Sequence, residues 1–155
     1  MKQYESNLRS FIKKNGIDCE HFVFGQPCHS VEEAARAAMA DPHDFVKNIC
    51  MVDSEGRPII AIVKGEDRAS TRRVAAALGL DERPRTASPD EILEKTGYPC
   101  GGVPSFGCDA AYLIDPMVME KQYVWTSGGS DRSLARISTS EMLRASNGRV
   151  VRIRK

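Results

Sequence analysis

The 155-residue sequence has no long apolar run, few aromatic residues and no excess of charge of either sign. No stretch approaches the roughly 20 apolar residues that cross a bilayer, and the amino-terminal residues lack the apolar segment of a signal peptide. Lys and Arg number 22 and Asp and Glu 21, so no overall field attracts nucleic acid or membrane. We therefore expect a single domain, residues 1–155, in the cytoplasm and without membrane contact.

Positive charge is nevertheless concentrated at the carboxy-terminal end. Residues 126–155 contain seven basic and two acidic side chains, a net charge of +5. A basic segment of this kind is usually a solvated face, but a protein that contacts RNA needs one.

Cysteine and histidine are present without the spacing of a metal site. The five cysteines include no C-x-x-C pair, and no pair among them and the three histidines has the spacing of structural zinc ligands. Cys28 and His29 adjoin, but neighbouring side chains in a strand or turn point apart, which disfavours a thiolate–imidazole pair. We predict no metal and no cofactor. Whether any cysteines pair with each other stays open.

Periodicity and capping signals predict interleaved helices and strands. The clearest signals are the capping boxes that begin at Ser30 and Ser88 and the hairpin that joins strands 46–52 and 58–63. Strands outnumber helices, and their connections mix hairpins with helical crossings, which favours an α+β fold around a curved mixed sheet. The other predicted elements are helices over 4–12, 34–40, 72–78 and 139–145 and strands over 20–24, 110–114, 122–127, 134–138 and 149–153.

Lys47 is the first candidate functional residue, because it lies near the start of an apolar predicted strand. Alternate residues of a strand share a face, which places Lys47 with Ile49 and Met51 and puts Asn48 on the other side. An ammonium on an apolar face is unfavourable unless it meets an anion or oxygen acceptors. Such a lysine either extends its head group to solvent or binds a ligand.

The second candidate is the loop 97–107, which is too rich in Gly and Pro to form a regular element. Adjacent Gly101 and Gly102 let a ligand come close to the backbone and leave N–H groups for a phosphate or a carbonyl oxygen. The pattern matches neither G-x-G-x-x-G nor G-x-x-x-x-G-K-[ST]. A structural corner and a ligand-binding loop both fit, and the turn 127–130 has the same two interpretations.

The order of these features resembles the YbaK-like aminoacyl-tRNA editing family, which includes the editing insertion domain of bacterial prolyl-tRNA synthetases. The resemblance spans nearly the whole chain, and the G-Y-x-x-G-G-x-P-x-x-G pattern of the loop is its most specific part. The segments that carry it are Val46-Lys47-Asn48-Ile49, residues 58–65 with Asp67-Arg68, the loop 97–107, and the turn 127–130.

The resemblance implies a barrel-like mixed sheet flanked by helices and a hydrolase that cleaves the ester of a wrongly charged tRNA. Synthetase pockets separate side chains differing by one methylene by only about 1–3 kcal/mol, so a second, hydrolytic site is needed. By resemblance, the catalytic residues are Lys47, Gly101 and Gly102, with water as the nucleophile. The implied substrate-binding residues are Asn48, Ile49, Val103, Pro104, Gly128, Gly129 and Ser130.

The resemblance also implies a substrate and partners. We expect a free-standing, trans-acting deacylase for tRNA-Pro charged with alanine or cysteine, with an aminoacyl-tRNA synthetase as a candidate partner. Some relatives carry threonine and aspartate where this sequence has Asn48 and Ala135, which weakens assignment to the cysteine-removing subgroup. A non-catalytic module that binds tRNA ends or a nucleotide is the main alternative. A hydrolase that uses Cys28 or Cys100 is a minor one.

Overall fold

The computed structural model describes residues 1–155 and contains six α-helices and eight β-strands. No helix combines the length and apolar character that crossing a membrane requires. The helices are α1 (Gln3–Lys14), α2 (Val31–Ala38), α3 (Thr71–Leu78), α4 (Pro89–Thr96), α5 (Pro116–Met119) and α6 (Thr139–Ser146). The strands are β1 (Cys19–Val23), β2 (Val46–Val52), β3 (Pro58–Lys64), β4 (Arg85–Thr86), β5 (Ala111–Ile114), β6 (Tyr123–Ser127), β7 (Ser133–Ser138) and β8 (Arg149–Val150).

The strands form two sheets, and helices flank both. The smaller sheet is antiparallel in the order β1-β7-β6, and the larger has the order β4-β2-β3-β5-β8. In the larger sheet β3, β5 and β8 are parallel, whereas β4, β2 and β3 are antiparallel. The α+β class is confirmed. The sheets do not close into a barrel, because an isolated bridge between Phe45 and Trp125 links them.

The β2–β3 hairpin is the centre of the larger sheet and follows directly from its sequence. Val46 pairs with Lys64 and Val52 with Pro58, across a turn in which Gly56 adopts a φ of 78°. The two faces of β2 are covered by different clusters, since Val52 belongs to the larger core and Met51 to a smaller one beneath α3. Burial on both sides explains the nearly unbroken apolar run.

The helix starts follow their predicted caps. The Ser30 and Ser88 hydroxyls accept from the N–H groups of Glu33 and Glu91, and both capping boxes are complete. Helix α2 therefore begins at Val31, three residues before the predicted start. The short elements β4 and α5 were not predicted, since a run of two or four residues carries no usable periodicity.

A buried carboxylate holds the carboxy-terminal segment in place. Asp115 is fully buried; its Oδ1 accepts from the N–H groups of Ile153 and Arg154, and its Oδ2 accepts from the N–H of Met117 and from the Arg154 guanidinium. These bonds draw the chain out of the sheet after Val150, which is why β8 is shorter than the predicted 149–153.

Candidate functional site

A cavity of about 220 Å³ opens where β2, β6, the loop 97–107 and the start of α2 meet. Five predicted site residues border it: Lys47, Asn48 and Ile49 from β2, and Gly101 and Val103 from the loop. The hairpin and the loop are thus brought together although more than fifty residues separate them. The other lining residues are Cys28, His29, Ser30, Val31, Ala34, Phe45, Val46, Cys50, Ile92, Cys100, Thr126, Ser127 and Leu134.

The remaining predicted site residues lie behind the cavity wall. Gly102, Pro104, Gly128, Gly129 and Ser130 are all buried and do not line the cavity. The turn 128–130 packs against α1, where the Ser130 hydroxyl donates to a carboxylate oxygen of Glu5. The structure therefore places this turn as a support for the loop.

Lys47 presents a free ammonium at the cavity. Its side chain is half-buried on β2, and it makes neither a hydrogen bond nor an ion pair with any other group of the protein. It shares its face of the strand with Ile49 and Met51, as the alternation predicts. A partly desolvated cation without a partner favours a negatively charged or oxygen-rich ligand.

The loop is held by its carbonyl groups, which leaves amides free. The Gly101 oxygen accepts from the Ser127 hydroxyl at 3.1 Å, and the Gly102 oxygen accepts from the Gly129 N–H at 2.9 Å. The Gly102 N–H itself donates to the Pro99 oxygen at 2.9 Å. The amides of Gly101 and Val103, both at the cavity wall, have no acceptor within the protein. They are the donors that the loop offers to a ligand.

Asn48 locks the loop to both sheets. Its Nδ2 donates to the Val103 oxygen at 2.8 Å and to Thr126 Oγ1 at 2.9 Å, and its Oδ1 accepts from Ser105 Oγ at 2.7 Å. Because the Ser105 proton is used there, the 2.7 Å contact between the two hydroxyls requires Thr126 to donate to Ser105. The three side chains form a closed ring of hydrogen bonds.

The ring changes the interpretation of Asn48. Both of its N–H groups are used inside the protein, so its amide positions the loop and has no donor left for substrate. Ser105 and Thr126 were not predicted as site residues. Each looks ordinary in its own segment, and no sequence signal pairs a loop serine with a strand threonine.

Cys28 and His29 border the cavity without forming a catalytic pair. Burial, followed by the nearby carboxylates of Glu33 and Asp131, raises the pKa of the Cys28 thiol and so disfavours the thiolate. The His29 Nε2 lies 3.2 Å from an Asp131 carboxylate oxygen. Cys100 is exposed at the rim, and all five cysteines are free. No three His, Cys, Asp or Glu side chains are grouped as metal ligands.

Replacing Gly102 by alanine is expected to lower activity at least about tenfold by displacing the loop. A Cβ at this position would lie 2.7 Å from the backbone carbonyl of Gly129 and 2.8 Å from the Ser130 nitrogen. The measurement is kcat/KM for deacylation of mischarged tRNA. Gly25→Ala is the matched control, because a Cβ at Gly25 meets nothing within 4 Å. Equal activity of the two variants would contradict the close packing of the loop.

Comparison with known proteins decides the family. The model of the aminoacyl-tRNA editing domain matches residues 25–145, a range that contains every residue of the cavity. The chain belongs to the aminoacyl-tRNA editing domain family. Members are hydrolases that act on the ester bond of aminoacyl-tRNA, and the YbaK-like resemblance is confirmed.

Relatives and solved structures agree with membership of the editing family. The chain is 26% identical to the multifunctional Ser/Thr-tRNA deacylase ProXp-y of Escherichia coli (strain K12), over 96% of this chain and 91% of that protein. It is 25% identical to the uncharacterized protein YwhH of Bacillus subtilis (strain 168), over 92% and 88% of the two chains. The fold matches a crystal structure of a candidate trans-editing enzyme for prolyl tRNA synthetase with a TM-score of 0.90 and 23% identity, covering 100% and 99% of the two chains.

Proposed function

We propose that this protein is a free-standing trans-editing deacylase that removes a small amino acid, alanine or cysteine, from mischarged tRNA-Pro. Membership of the editing family supports the reaction type. The observation that carries the proposal is the free ammonium of Lys47 at the same cavity as the unpaired amides of Gly101 and Val103. Residues 1–155 act in this proposal as one editing domain.

Each group has a distinct part in the proposed hydrolysis. The Lys47 ammonium binds the ester region or the terminal nucleotide, and the amides of Gly101 and Val103 donate to the carbonyl oxygen as it gains negative charge. Gly102, which was predicted to donate as well, keeps the loop against Gly129.

Water is the nucleophile. Its oxygen bonds to the ester carbon, the bond to the ribose oxygen breaks, and that oxygen takes the proton. The products are the free amino acid and the uncharged tRNA. The neighbouring ribose hydroxyl of the substrate assists the proton transfer.

The wall of the cavity supports a small and largely apolar side chain. Val31, Ala34, Phe45 and Leu134 supply apolar surface, and a cavity of about 220 Å³ leaves little room beyond a short side chain and the ester. The name of the Escherichia coli relative makes serine and threonine the competing substrates. Hydroxyls at the wall that could meet such side chains belong to Ser30 and Ser127.

A panel of charged tRNAs tests the proposal directly. We expect release of alanine or cysteine from tRNA-Pro at least about tenfold faster than release of serine or threonine, a ratio that one small group in an apolar pocket can supply. Release is measured at limiting enzyme from tRNA-Pro charged with each of the four amino acids, with correctly charged Pro-tRNA-Pro as the negative control. Faster release of serine or threonine would move the substrate to that of the relative, and release of none would contradict the proposal.

Two further parts of the proposal concern the surroundings of the enzyme. A trans-acting editor must capture mischarged tRNA after the synthetase has released it, or act while bound to the synthetase. An aminoacyl-tRNA synthetase therefore stays the proposed partner, and the cytoplasm, where tRNA is charged, stays the predicted location.

A further inference from the structure

A second hollow of about 290 Å³ lies on the other face of β2. Lys47 and Ile49 border both this hollow and the editing cavity. Arg68 and Lys155 add two more positive charges to its wall, and no Asp or Glu lines it. The other lining residues are Met51, Ala69, Thr71 and Thr86.

The backbone holds the cations of this hollow in place. The carboxy-terminal segment runs antiparallel to residues 68–70, with the Lys155 N–H donating to the Arg68 oxygen at 2.8 Å and the Ser70 N–H to the Ile153 oxygen at 2.7 Å. Buried Asp115 anchors the same segment through the N–H groups of Ile153 and Arg154. Arg68 and Lys155 thus lie on paired backbone positions and are not loose tails.

These cations have no protein partners. Lys47, Arg68 and Lys155 make no ion pair, and neither do Arg72 and Arg152 nearby. The positive charge of Arg152, together with burial and the charges of Arg72 and Arg154, lowers the pKa of Arg73. Mutual repulsion among adjacent, unpaired cations is relieved when an anion binds.

We propose that this hollow binds the phosphodiester backbone of the tRNA next to its 3′ end, so that Lys47 stands between the phosphate site and the editing cavity. The inference rests on the proposed function, since it assigns the position of that substrate. An ordinary solvated basic face would present its charges on a convex surface. Here three cations line a hollow that shares two residues with the active cavity.

The double variant R68Q/K155Q tests the site, with K13Q/K14Q as the matched control. Both remove two charges, and Lys13 and Lys14 are exposed, without ion pairs, and outside both cavities. Dissociation constants for uncharged tRNA-Pro are measured from 0.05 to 1 M salt, and thermal melting confirms folding. R152Q is the second variant should R68Q/K155Q fail to fold, because Arg152 is exposed and unpaired.

We expect R68Q/K155Q to raise the Kd at 0.1 M salt about tenfold or more, and to reduce the slope of log K against log salt by about 1.4 to 1.8, as loss of two phosphate contacts requires. K13Q/K14Q should leave both unchanged. Equal effects of the two variants, or none, would overturn the site.

A phosphate-free substrate separates this inference from the proposed function. Hydrolysis of 3′-O-alanyl-adenosine, which has no backbone phosphate, should be the same for R68Q/K155Q and wild type, whereas KM for alanyl-tRNA should rise in parallel with Kd. Hydrolysis of neither substrate by wild type would refute the function and leave the binding result to stand. Loss of alanyl-adenosine hydrolysis in R68Q/K155Q would contradict the inference alone.

Discussion

Lys47→Ala is expected to lower kcat/KM for deacylation at least about 100-fold, the usual loss when one preorganised donor to a developing charge is removed. Lys47 is the only cation that lines both the editing cavity and the basic hollow, and no other protein group uses its ammonium. The measurement is amino-acid release under kcat/KM conditions. Unchanged release would remove Lys47 from the mechanism.

Lys64→Ala is the matched control for Lys47. Lys64 lies at the end of the neighbouring strand, its side chain is mostly buried, and its ammonium is 2.8 Å from a Glu66 carboxylate oxygen. It lines neither cavity. Lys64→Ala should therefore keep its activity, while Lys47→Arg should recover part of the loss because the charge remains. Equal losses at positions 47 and 64 would indicate damage to the hairpin and not to the site.

Asp115→Asn is expected to lower the free energy of unfolding by about 3 kcal/mol, the usual size of the loss when one partner of a buried ion pair is removed. The substitution places a donating NH₂ group where Asp115 accepts from Met117, Ile153 and Arg154. It is measured by denaturant unfolding. Asp109→Asn is the control, because Asp109 is exposed and makes no hydrogen bond. A loss below about 1 kcal/mol would contradict the anchoring role.

The pH dependence of stability gives Asp115 a second signature. Burial alone would raise its pKa, but the N–H groups of Ile153, Met117 and Arg154 and the Arg154 guanidinium together lower it. A lowered pKa stabilises the fold above the ordinary aspartate value of about 3.9, and this contribution is lost as pH falls further. Between about pH 4 and pH 2, the unfolding free energy of wild type should fall more steeply than that of Asp115→Asn.

Much of the fold could be predicted from the sequence because its signals are local. The capping boxes at Ser30 and Ser88 and the β2–β3 hairpin each depend on residues a few positions apart, and the structure confirms them. The closure of the sheet into a barrel was not confirmed. Sheet closure depends on how distant strands align, and the single bridge between Phe45 and Trp125 has no sequence pattern.

The candidate site was predictable in its centre and not in its supports. Lys47 stood out because a cation on an apolar strand is unusual, and the loop stood out by its glycines. The donors could not be chosen, since only the hydrogen bond from Gly102 to Pro99 shows that the Gly102 amide is used. The turn 128–130 was placed at the substrate by resemblance, and its contact with α1 appears only in three dimensions.

The closed ring of Asn48, Ser105 and Thr126 has a consequence for selectivity. Every N–H and O–H of these side chains is already donated within the ring or to the Val103 oxygen. The floor of the cavity is therefore mute toward a polar side chain: it offers no donor to reward a hydroxyl for losing its water. An editor built on such a floor sorts amino acids by what it shuts out, and a new substrate would be admitted by trimming the wall more readily than by adding a recognition group.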